Sequence, residues 1–330
     1  MRKIVGLLAL ASVVALAWGR LDFGLGPAMA EPGAAALTVQ SRVYLPAASR
    51  AATTAVNPPA PPSQTTAPDW LAYLNYYRST AGLAPLSENP TWSQGCLNHA
   101  RYIVLNRFAT HAEDPANPWY TPDGDECGRS GNVVLGTTTA PADRFAIDSW
   151  MQAPFHALGI VDPLLAQVGY GSYRDGGGLT GATLDIIRGR DWRLAGSVSY
   201  PVMWPGNGAV VRLTRYRGDE LPDPLTACPG YSAPTGLPVI LQLGAGNVVP
   251  QVTGTYFAGN GAPLEHCVFD QTSYVNPNQA FQNLARAVLA ARSAVVLIPR
   301  APLQAGVTYT VAVAASGQTY TWSFTVLDSG

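Results

Sequence analysis

The sequence predicts an α+β fold: a first domain of helices followed by short strands, and then a second, all-β domain that forms a sandwich. The 330 residues exceed one ordinary core and indicate two domains. Helical patterns come first and β-like runs after them, without the alternation that is typical of a parallel α/β sheet. The last part of the chain consists of short segments rich in β-branched and aromatic residues, punctuated by Gly or Pro.

Apolar spacing and capping residues predict the individual elements. Asp69 is a suitable N-cap for a first helix over 70–78, and Gly82 lies just beyond its end. Further helices are predicted over 91–106, 141–151 and, by composition, 277–292. The strands predicted in the first domain cover 167–173, 182–187, 197–202 and 209–216. Those in the second domain cover 239–243, 252–257, 266–269, 294–298, 307–314 and 319–326, and residues 315–318 join the last two as a hairpin.

The N-terminus has the pattern of an export signal. Arg2 and Lys3 precede an uncharged apolar run of 15 residues, which is short for a membrane span of about 20. We expect residues 1–30 to be a signal peptide cleaved after Ala30. Two alternatives remain open: cleavage after Ala17, and retention of the segment as an uncleaved anchor that tethers the protein to the membrane.

Composition divides the rest of the chain. Residues 31–68 are rich in Pro, Ala and Thr, which predicts a disordered linker. We place the first domain at 69–216 and the second at 235–330. Residues 217–234 contain four prolines and no apolar periodicity, so they are predicted to be a linker between the domains.

The charge content excludes several classes of function. Charged residues make up 12% of the chain, the formal net charge is −1, and Lys3 is its one lysine. There is therefore no lysine for a phosphate-binding loop or a Schiff base, and no basic field to attract nucleic acid. We expect no nucleic-acid partner and no integral membrane span in the mature chain.

Four cysteines allow three disulfide pairings. An exported protein reaches an oxidising compartment in which disulfides persist. The first two cysteines are separated from the last two by about a hundred residues, which matches the division into domains. We therefore predict the disulfides Cys96–Cys127 and Cys228–Cys267.

Four motifs in order carry a resemblance to a known family. They are Leu74-Asn75-Tyr76-Tyr77-Arg78 with Gly82-Leu83-Ala84-Pro85-Leu86, His99-Ala100 followed by His111, Trp150-Met151-Gln152-Ala153-Pro154-Phe155-His156, and Val168-Gly169-Tyr170-Gly171. This order resembles the CAP superfamily of cysteine-rich secretory proteins, antigen 5 and plant pathogenesis-related proteins. The resemblance implies an α-β-α sandwich, and a cleft in which two histidines and two glutamates can bind a divalent metal.

The resemblance assigns His111 and His156 to the two histidine positions. Gly131 and Ala153 then stand where the family has its glutamates, so both expected carboxylates are absent. Two imidazoles could still hold zinc, although a stable site usually has three or four ligands. Spacing leaves open whether an acid nearby substitutes; the candidates are Glu113, Asp114, Asp125 and Glu126. We expect a ligand-binding cleft, without catalytic residues, formed by His111, His156, Glu113 and Asn132, and we expect His99 to be packed inside its helix.

The end of the second domain resembles bacterial Ig-like domains. The residues that carry this are Pro299-Arg300-Ala301-Pro302-Leu303, Gly306-Val307-Thr308-Tyr309-Thr310-Val311 and Trp322-Ser323-Phe324-Thr325. Such modules act as spacers or adhesive units, which is what the resemblance implies for this domain.

These observations favour a secreted protein that is not an enzyme and that binds an apolar or lipid ligand, a cell-envelope component or a partner protein. The sequence has no GxSxG motif, and its cysteines are predicted to form disulfides, so no nucleophile is marked. The alternative is a metal-dependent hydrolase or protease that uses His111 and His156. A second alternative is a purely structural or adhesive surface module.

Overall fold

The structure is a computed structural model that describes residues 69–327. The predicted signal peptide (1–30) and the predicted linker (31–68) lie outside the described residues, as do the last three residues of the chain. Nothing in the structure tests those two predictions.

The first domain is a mixed helix and strand unit, as predicted. Its helices are α1 (Trp70–Ser79), α2 (Pro90–Asn106), α3 (Pro122–Arg129), α4 (Ala142–Gln152) and α5 (Pro154–Ile160). Its strands are β1 (Ser87–Glu88), β2 (Gly131–Thr137), β3 (Gln167–Arg174) and β4 (Leu179–Asp185). The three helices predicted in this domain are confirmed as α1, α2 and α4, and the predicted Asp69 cap accepts the Leu71 N–H at 3.0 Å. The sequence patterns did not predict α3 and α5.

The strands form one sheet in the order β1-β3-β4-β2. Strand β1 is parallel to β3, whereas β3 and β2 are both antiparallel to β4. Alternating residues of β3 determine what covers each face of this sheet. A Cβ atom at Gly171 would lie 2.1 Å from the backbone nitrogen of Leu97, so α2 packs directly on the backbone of one face. Tyr170 points to the other face, where its ring is 5.1 Å from Trp70 of α1 and 6.3 Å from Trp150 of α4. The α-β-α arrangement is therefore confirmed.

Helices α1 and α4 are held together by one shared carboxylate. The hydroxyl groups of Tyr73 and Tyr77 both donate to Asp148 Oδ1, at 2.6 and 2.5 Å. Burial raises the pKa of Asp148, and the two tyrosine hydrogen bonds oppose that rise. Because the carboxylate is already fully used by its own fold, we assign it a structural role.

The rest of the chain is rich in strands. They are β5 (Val202–Trp204), β6 (Val210–Val211), β7 (Arg215–Tyr216), β8 (Thr235–Gly236), β9 (Val239–Gln242), β10 (Val252–Gly259), β11 (Ala262–Pro263), β12 (His266–Asp270), β13 (Ala294–Pro299), β14 (Thr308–Ala315) and β15 (Gln318–Val326). One sheet has the order β11-β10-β14-β15-β6, another the order β12-β13-β9-β5, and β7 pairs with β8. The helix predicted over 277–292 is present as α6 (Gln279–Ala290).

The predicted hairpin between the last two strands is confirmed. Ala315 pairs with Gln318, and the two residues between them have positive φ angles of 51° at Ser316 and 78° at Gly317. This is the backbone pattern that matches the twist of two antiparallel strands joined by a two-residue turn. The β-rich character of this region is therefore shown, whereas the Ig-like resemblance stays a prediction.

The strand predicted over 197–202 is wrong except at Val202, where β5 begins, and the strand predicted over 209–216 is divided into β6 and β7. Both β5 and β6 belong to the later sheets. Strand β5 pairs with β9, and β6 pairs in parallel with β15. Residues 202–211 therefore contribute hydrogen bonds to the sheets that the 235–330 segment builds. The domain limits at 216 and 235 stay predictions, but the chain crosses between the two units more than once.

Both predicted disulfides are confirmed. Cys96–Cys127 joins α2 to α3, and Cys228–Cys267 joins the connecting segment to β12. Disulfides of this kind are typical of proteins in an oxidising, extracytoplasmic compartment. Within residues 69–327, no helix combines the length and the apolar character needed to cross a membrane.

Helix α5 lies at the contact between the two units. Its Phe155 ring is 5.4 Å from the ring of Tyr274 and 6.1 Å from that of Phe269, both in the second unit. Just beyond its C-terminal end, the Val161 carbonyl accepts a hydrogen bond of 2.7 Å from the side-chain amide of Gln242. Buried apolar residues of both units belong to one continuous core.

A buried carboxylate completes this contact. Asp162 is 1% exposed, and its Oδ2 lies 2.8 Å from Arg190 Nε and 3.1 Å from Arg292 Nε. Arg190 follows β4 in the first unit, whereas Arg292 follows α6 in the second. The N–H groups do not point along these contacts, so they are ion pairs rather than aligned hydrogen bonds. Asp162 thus forms an ion pair with one arginine from each unit.

We predict that Asp162→Ala lowers the free energy of unfolding by about 3–5 kcal/mol, because it leaves two nearly buried guanidinium groups without their counter-charge. Chemical denaturation measures this quantity. The matched control is Glu265→Ala, which breaks the exposed Glu265–Arg300 pair at 2.8 Å and should cost no more than about 1 kcal/mol. Equal costs for the two variants would contradict the assigned role of Asp162.

Candidate functional site

The predicted cleft contains an acid that the sequence analysis did not place there. Glu220 lies in the connecting segment after β7, and its Oε1 is 2.6 Å from His156 Nδ1. The same oxygen accepts a 2.8 Å hydrogen bond from the backbone N–H of His156. The family positions Gly131 and Ala153 carry no carboxylate, and the acid beside His156 is none of the four candidates named from the sequence. The acid comes from 64 residues further along the chain, outside every family motif.

Glu220 also caps helix α5. The N-cap residue of α5, Ala153, has no side chain that can accept a hydrogen bond from the first turn. Glu220 performs this role from outside the helix, since it accepts the N–H of the third helical residue. A negative charge is favourable at this end of a helix. The contact therefore satisfies a backbone donor and an imidazole with one carboxylate oxygen.

The Glu220 carboxylate is deeply buried. The residue is 2% exposed, and Oε2 has no hydrogen-bond partner within the described residues. Burial raises the pKa of Glu220, and its hydrogen bonds with His156 lower it part of the way back. Moving a carboxylate out of water is costly unless it is paired, so the connecting segment is fixed here by a specific contact.

Little space remains in this cleft. A pocket of about 20 Å³ is lined by His156, Ala153 and Trp150, together with Ser149 and Asp219. A cavity of this size holds about one water molecule. Asp219 precedes Glu220 in the connecting segment, so two consecutive acids of that segment close the cleft.

The structure shows why one of the two family glutamate positions cannot hold a side chain and what lies beside the other. Gly131 lies in β2 opposite Asp185, and a Cβ atom there would be 1.8 Å from the carbonyl oxygen of Leu184. No side chain fits at that position. Ala153 is 4% exposed and lines the pocket beside His156, and the Glu220 carboxylate reaches the same histidine from the other segment.

His111 is a neutral imidazole in this region. Its Nδ1 lies 2.8 Å from the carbonyl oxygen of Gly128, which can only accept, so Nδ1 carries the proton. Burial is the main cause that lowers the pKa of His111 to about 3; the hydrogen bond with Gly128 opposes this, and the neighbouring His156 and His99 add to it. The ring keeps part of its surface at solvent, although it is densely surrounded. The structure thus places His156 and His99 close enough to His111 to affect its pKa.

His99 is packed inside the protein, as expected. It is 0% exposed, and its Nδ1 lies 3.0 Å from Glu113 Oε1 while its Nε2 lies 2.8 Å from the carbonyl oxygen of Thr110. The second carboxylate oxygen of Glu113 accepts the N–H of Thr121 at 2.8 Å. Glu113 is only 3% exposed. It was predicted as a ligand-binding residue, and the structure engages it with His99 beneath α3.

The other predicted residues have defined places. Asn132 is buried and donates to the carbonyl oxygen of His156 at 3.2 Å, so it lies next to the cleft histidine. The remaining candidate acids make local contacts. Asp114 accepts from Ala116 N, Asp125 accepts from Glu113 N and pairs with Arg129, and Glu126 pairs with Arg188.

The donor set does not fit a zinc ion. Among residues 69–327, no three His, Cys, Asp or Glu side chains are grouped so that they could hold a metal. A structural or catalytic zinc needs at least three protein ligands, so we derive no chemistry through a metal here.

The residues that sequence reasoning missed are Glu220, Asp219, Ser149 and Trp150. Trp150 and Ser149 lie in or next to a recognised motif, and their helical spacing could have placed them beside His156. Glu220 gave no such signal, since nothing local marks a buried acid in a proline-rich segment.

We predict that Glu220→Ala destabilises the protein by about 1–3 kcal/mol for each buried donor that it leaves unsatisfied. The donors are the backbone N–H and Nδ1 of His156. Glu220→Gln is the matched control, because its amide oxygen can still accept these bonds, and it should cost clearly less. Chemical denaturation of both variants tests this, and equal losses would show that the contact has no such role.

We predict that His111 lowers the free energy of unfolding at acid pH. Its pKa is 6.5 when unperturbed and about 3 in the folded state, so the unfolded chain takes up a proton that the folded chain refuses. Stability should fall as pH drops below 6.5, by about 1.4 kcal/mol per pH unit from this residue until the folded pKa is reached. His111→Gln, which keeps a donor for Gly128, should flatten the acid limb of the stability profile.

The control for this pH profile is Gln94→Ala, an exposed change on α2. It should leave the slope of unfolding free energy against pH unchanged. An unaltered slope in His111→Gln would mean that His111 does not remain neutral in the folded protein.

Comparison with known proteins supports the recognised motifs. Residues 71–184 match the family model named CAP, the cysteine-rich secretory protein family. The chain is similar to a crystal structure of an extracellular protein containing an SCP domain from Bacillus anthracis str. Ames, with 15% sequence identity and a TM-score of 0.26. That match covers 35% of this chain and 38% of the other. No curated protein matches this chain.

The family match ends at the last residues of β4, before the connecting segment that carries Glu220. The motifs, the α-β-α layers and the family model agree over the same residues. The chain therefore carries a domain of the cysteine-rich secretory protein (CAP) family over residues 71–184.

Proposed function

We propose that this chain is a secreted, non-enzymatic binding protein whose ligand is a component of the cell envelope. The observation that carries the proposal is the closed histidine cleft. Glu220 binds His156 from within the same chain, and about 20 Å³ of space remains beside it. A cleft that holds about one water molecule cannot admit a substrate.

The CAP domain and the two disulfides support an extracellular location. Export through the predicted signal peptide, with release or with tethering by an uncleaved signal, is part of the proposal. An apolar ligand receives less support than a polar one, because an open groove of about 510 Å³ on the CAP domain is lined mainly by polar and charged side chains.

One observation favours the hydrolase alternative. The Glu220–His156 pair has the geometry of an acid–histidine dyad, and Ser149 lines the same pocket. Against a nucleophilic role, the Ser149 hydroxyl donates back to the carbonyl oxygen of Phe145 at 2.7 Å. The connecting segment would also have to leave before a substrate could enter. A purely structural or adhesive module remains the third candidate.

We predict that zinc titrated calorimetrically into the protein gives no heat that depends on the cleft histidines. Wild type, His111→Ala and His156→Ala should behave alike, because the cleft lacks a third ligand. A stoichiometric binding step that is lost in both variants would favour the metal-dependent alternative. Labelling of Ser149 by a fluorophosphonate would instead favour a serine hydrolase, and we expect that residue to stay unlabelled.

A further inference from the structure

The open groove on the CAP domain lies apart from the histidine cleft. It has a volume of about 510 Å³, within the range of small-molecule sites. Its walls come from the start of α2, from the paired ends of β1 and β3, and from the segment after β4. Among its lining residues are Trp92, Gln167, Arg188, Arg190, Asp191 and Arg193.

The arginine wall is fixed to the sheet edge. Gly189 accepts a 3.0 Å hydrogen bond from Ala166 N, and Arg190 forms a bridge with Leu165. A Cβ atom at Gly189 would lie 1.8 Å from the carbonyl oxygen of Gln167, so only glycine allows this approach. Arg188 and Arg190 flank this glycine, and both line the groove.

Each of the two guanidinium groups is paired with a buried carboxylate. Arg188 Nε binds Asp185, which is 0% exposed, and Arg190 Nε pairs with Asp162, which is 1% exposed. Within residues 69–327, Arg188 binds Asp185 through Nε and Glu126 through Nη1, so Nη2 remains for a ligand. The donors of the wall are thus held in place before any ligand arrives.

Two indole rings accompany the arginines. The Arg188 guanidinium lies 4.8 Å from the ring centre of Trp92, and that of Arg190 lies 4.6 Å from the ring centre of Trp192. Trp192 is 52% exposed, and its side chain is not needed by the core. It adjoins the groove between the lining residues Asp191 and Arg193, and since Arg190 covers one face of its ring, the other face is the apolar surface that it offers.

Charge decides which ligand this groove fits. Arg188 pairs with Asp185 and Glu126, and Arg193 pairs with Asp191. Arg190 shares Asp162 with Arg292, so four carboxylates match four guanidinium groups. The arginines therefore supply hydrogen-bond donors without a net positive field to attract an anion. Asp191 and Gln167 add acceptors to the same walls.

We propose that this groove binds a neutral saccharide, with sugar hydroxyl groups bonding to the arginine and carboxylate wall and a sugar face packing on the exposed indole. A sugar hydroxyl group can both accept a hydrogen bond from a guanidinium group and donate one to a neighbouring carboxylate. The inference rests on the proposed function and names its ligand class. It locates the site at the groove of Trp92 and Arg190 rather than at the histidine cleft.

The test uses the full chain and four named neutral probes, the tetrasaccharides of glucose, N-acetylglucosamine, mannose and galactose. Indole N–H signals in NMR spectra report on the tryptophans. We expect at least one probe to bind in the millimolar range or tighter and to shift the Trp192 signal. Trp192→Ala and Gln167→Ala should each weaken that binding, the first by about tenfold, which corresponds to about 1.4 kcal/mol.

The matched control is Phe108→Ala, since Phe108 is 53% exposed and lies beyond the end of α2, outside the groove. It should leave binding unchanged. No binding of any probe, or binding that survives Trp192→Ala, would overturn the proposal. Binding of tetragalacturonate alone would also overturn it, in favour of an anionic ligand. The zinc titration is independent of these results, so failure of the saccharide site and failure of the closed cleft are distinguishable.

Discussion

The arrangement of this protein depends on one buried carboxylate, that of Glu220, bound to the His156 ring and to the first turn of α5. An unpaired carboxylate at that depth would be prohibitively costly. Its two donors both belong to His156, so the connecting segment has one place where it can dock. The closure of the cleft and the path of the chain toward the second unit are consequences of the same contact.

The connecting segment and the second unit together hold α5 at both ends. At the N-terminal end, Glu220 replaces the missing cap. Beyond the C-terminal end, Gln242 binds the Val161 carbonyl and Arg292 pairs with Asp162. Between them, Phe155 packs on aromatic rings of the later sheets. A helix of seven residues has little stability of its own, so its conformation is supplied by these tertiary contacts, and the histidine that it carries is positioned by them.

Local patterns predicted α1, α2 and α4 because each has an apolar face and an identifiable N-terminal boundary. The strands of the final hairpin were predictable for the same reason, since alternation and a turn are local properties. Helix α5 was not, because it is short and its cap lies 64 residues away. The pairing of β5 with β9 and of β6 with β15 also depends on partners distant in sequence.

The residues of the candidate site were likewise predictable only where a local motif marks them. Family motifs located His111 and His156, and the structure places His156 close enough to His111 to affect its pKa. The motif positions Gly131 and Ala153 carry no carboxylate, and the acid beside His156 was not among the candidates because the interpretation considered only the motif and the acids close to it in sequence. A buried acid can be delivered by any segment that reaches the cleft. The sequence of a segment rich in proline and glycine does not reveal which side chain will be buried.

The charged side chains of the groove are paired with side chains of opposite charge. The arginines of the groove face carboxylates behind or beside them, and Asp162 serves Arg190 of the groove and Arg292 of the second unit together. Charges arranged in this way attract a ligand only weakly over a distance, because the group as a whole holds as many carboxylates as guanidinium groups. They can still recognise one at contact, through the direction of their N–H groups. Recognition on this surface must therefore depend on hydrogen-bond geometry and apolar contact, which suits a ligand without charge.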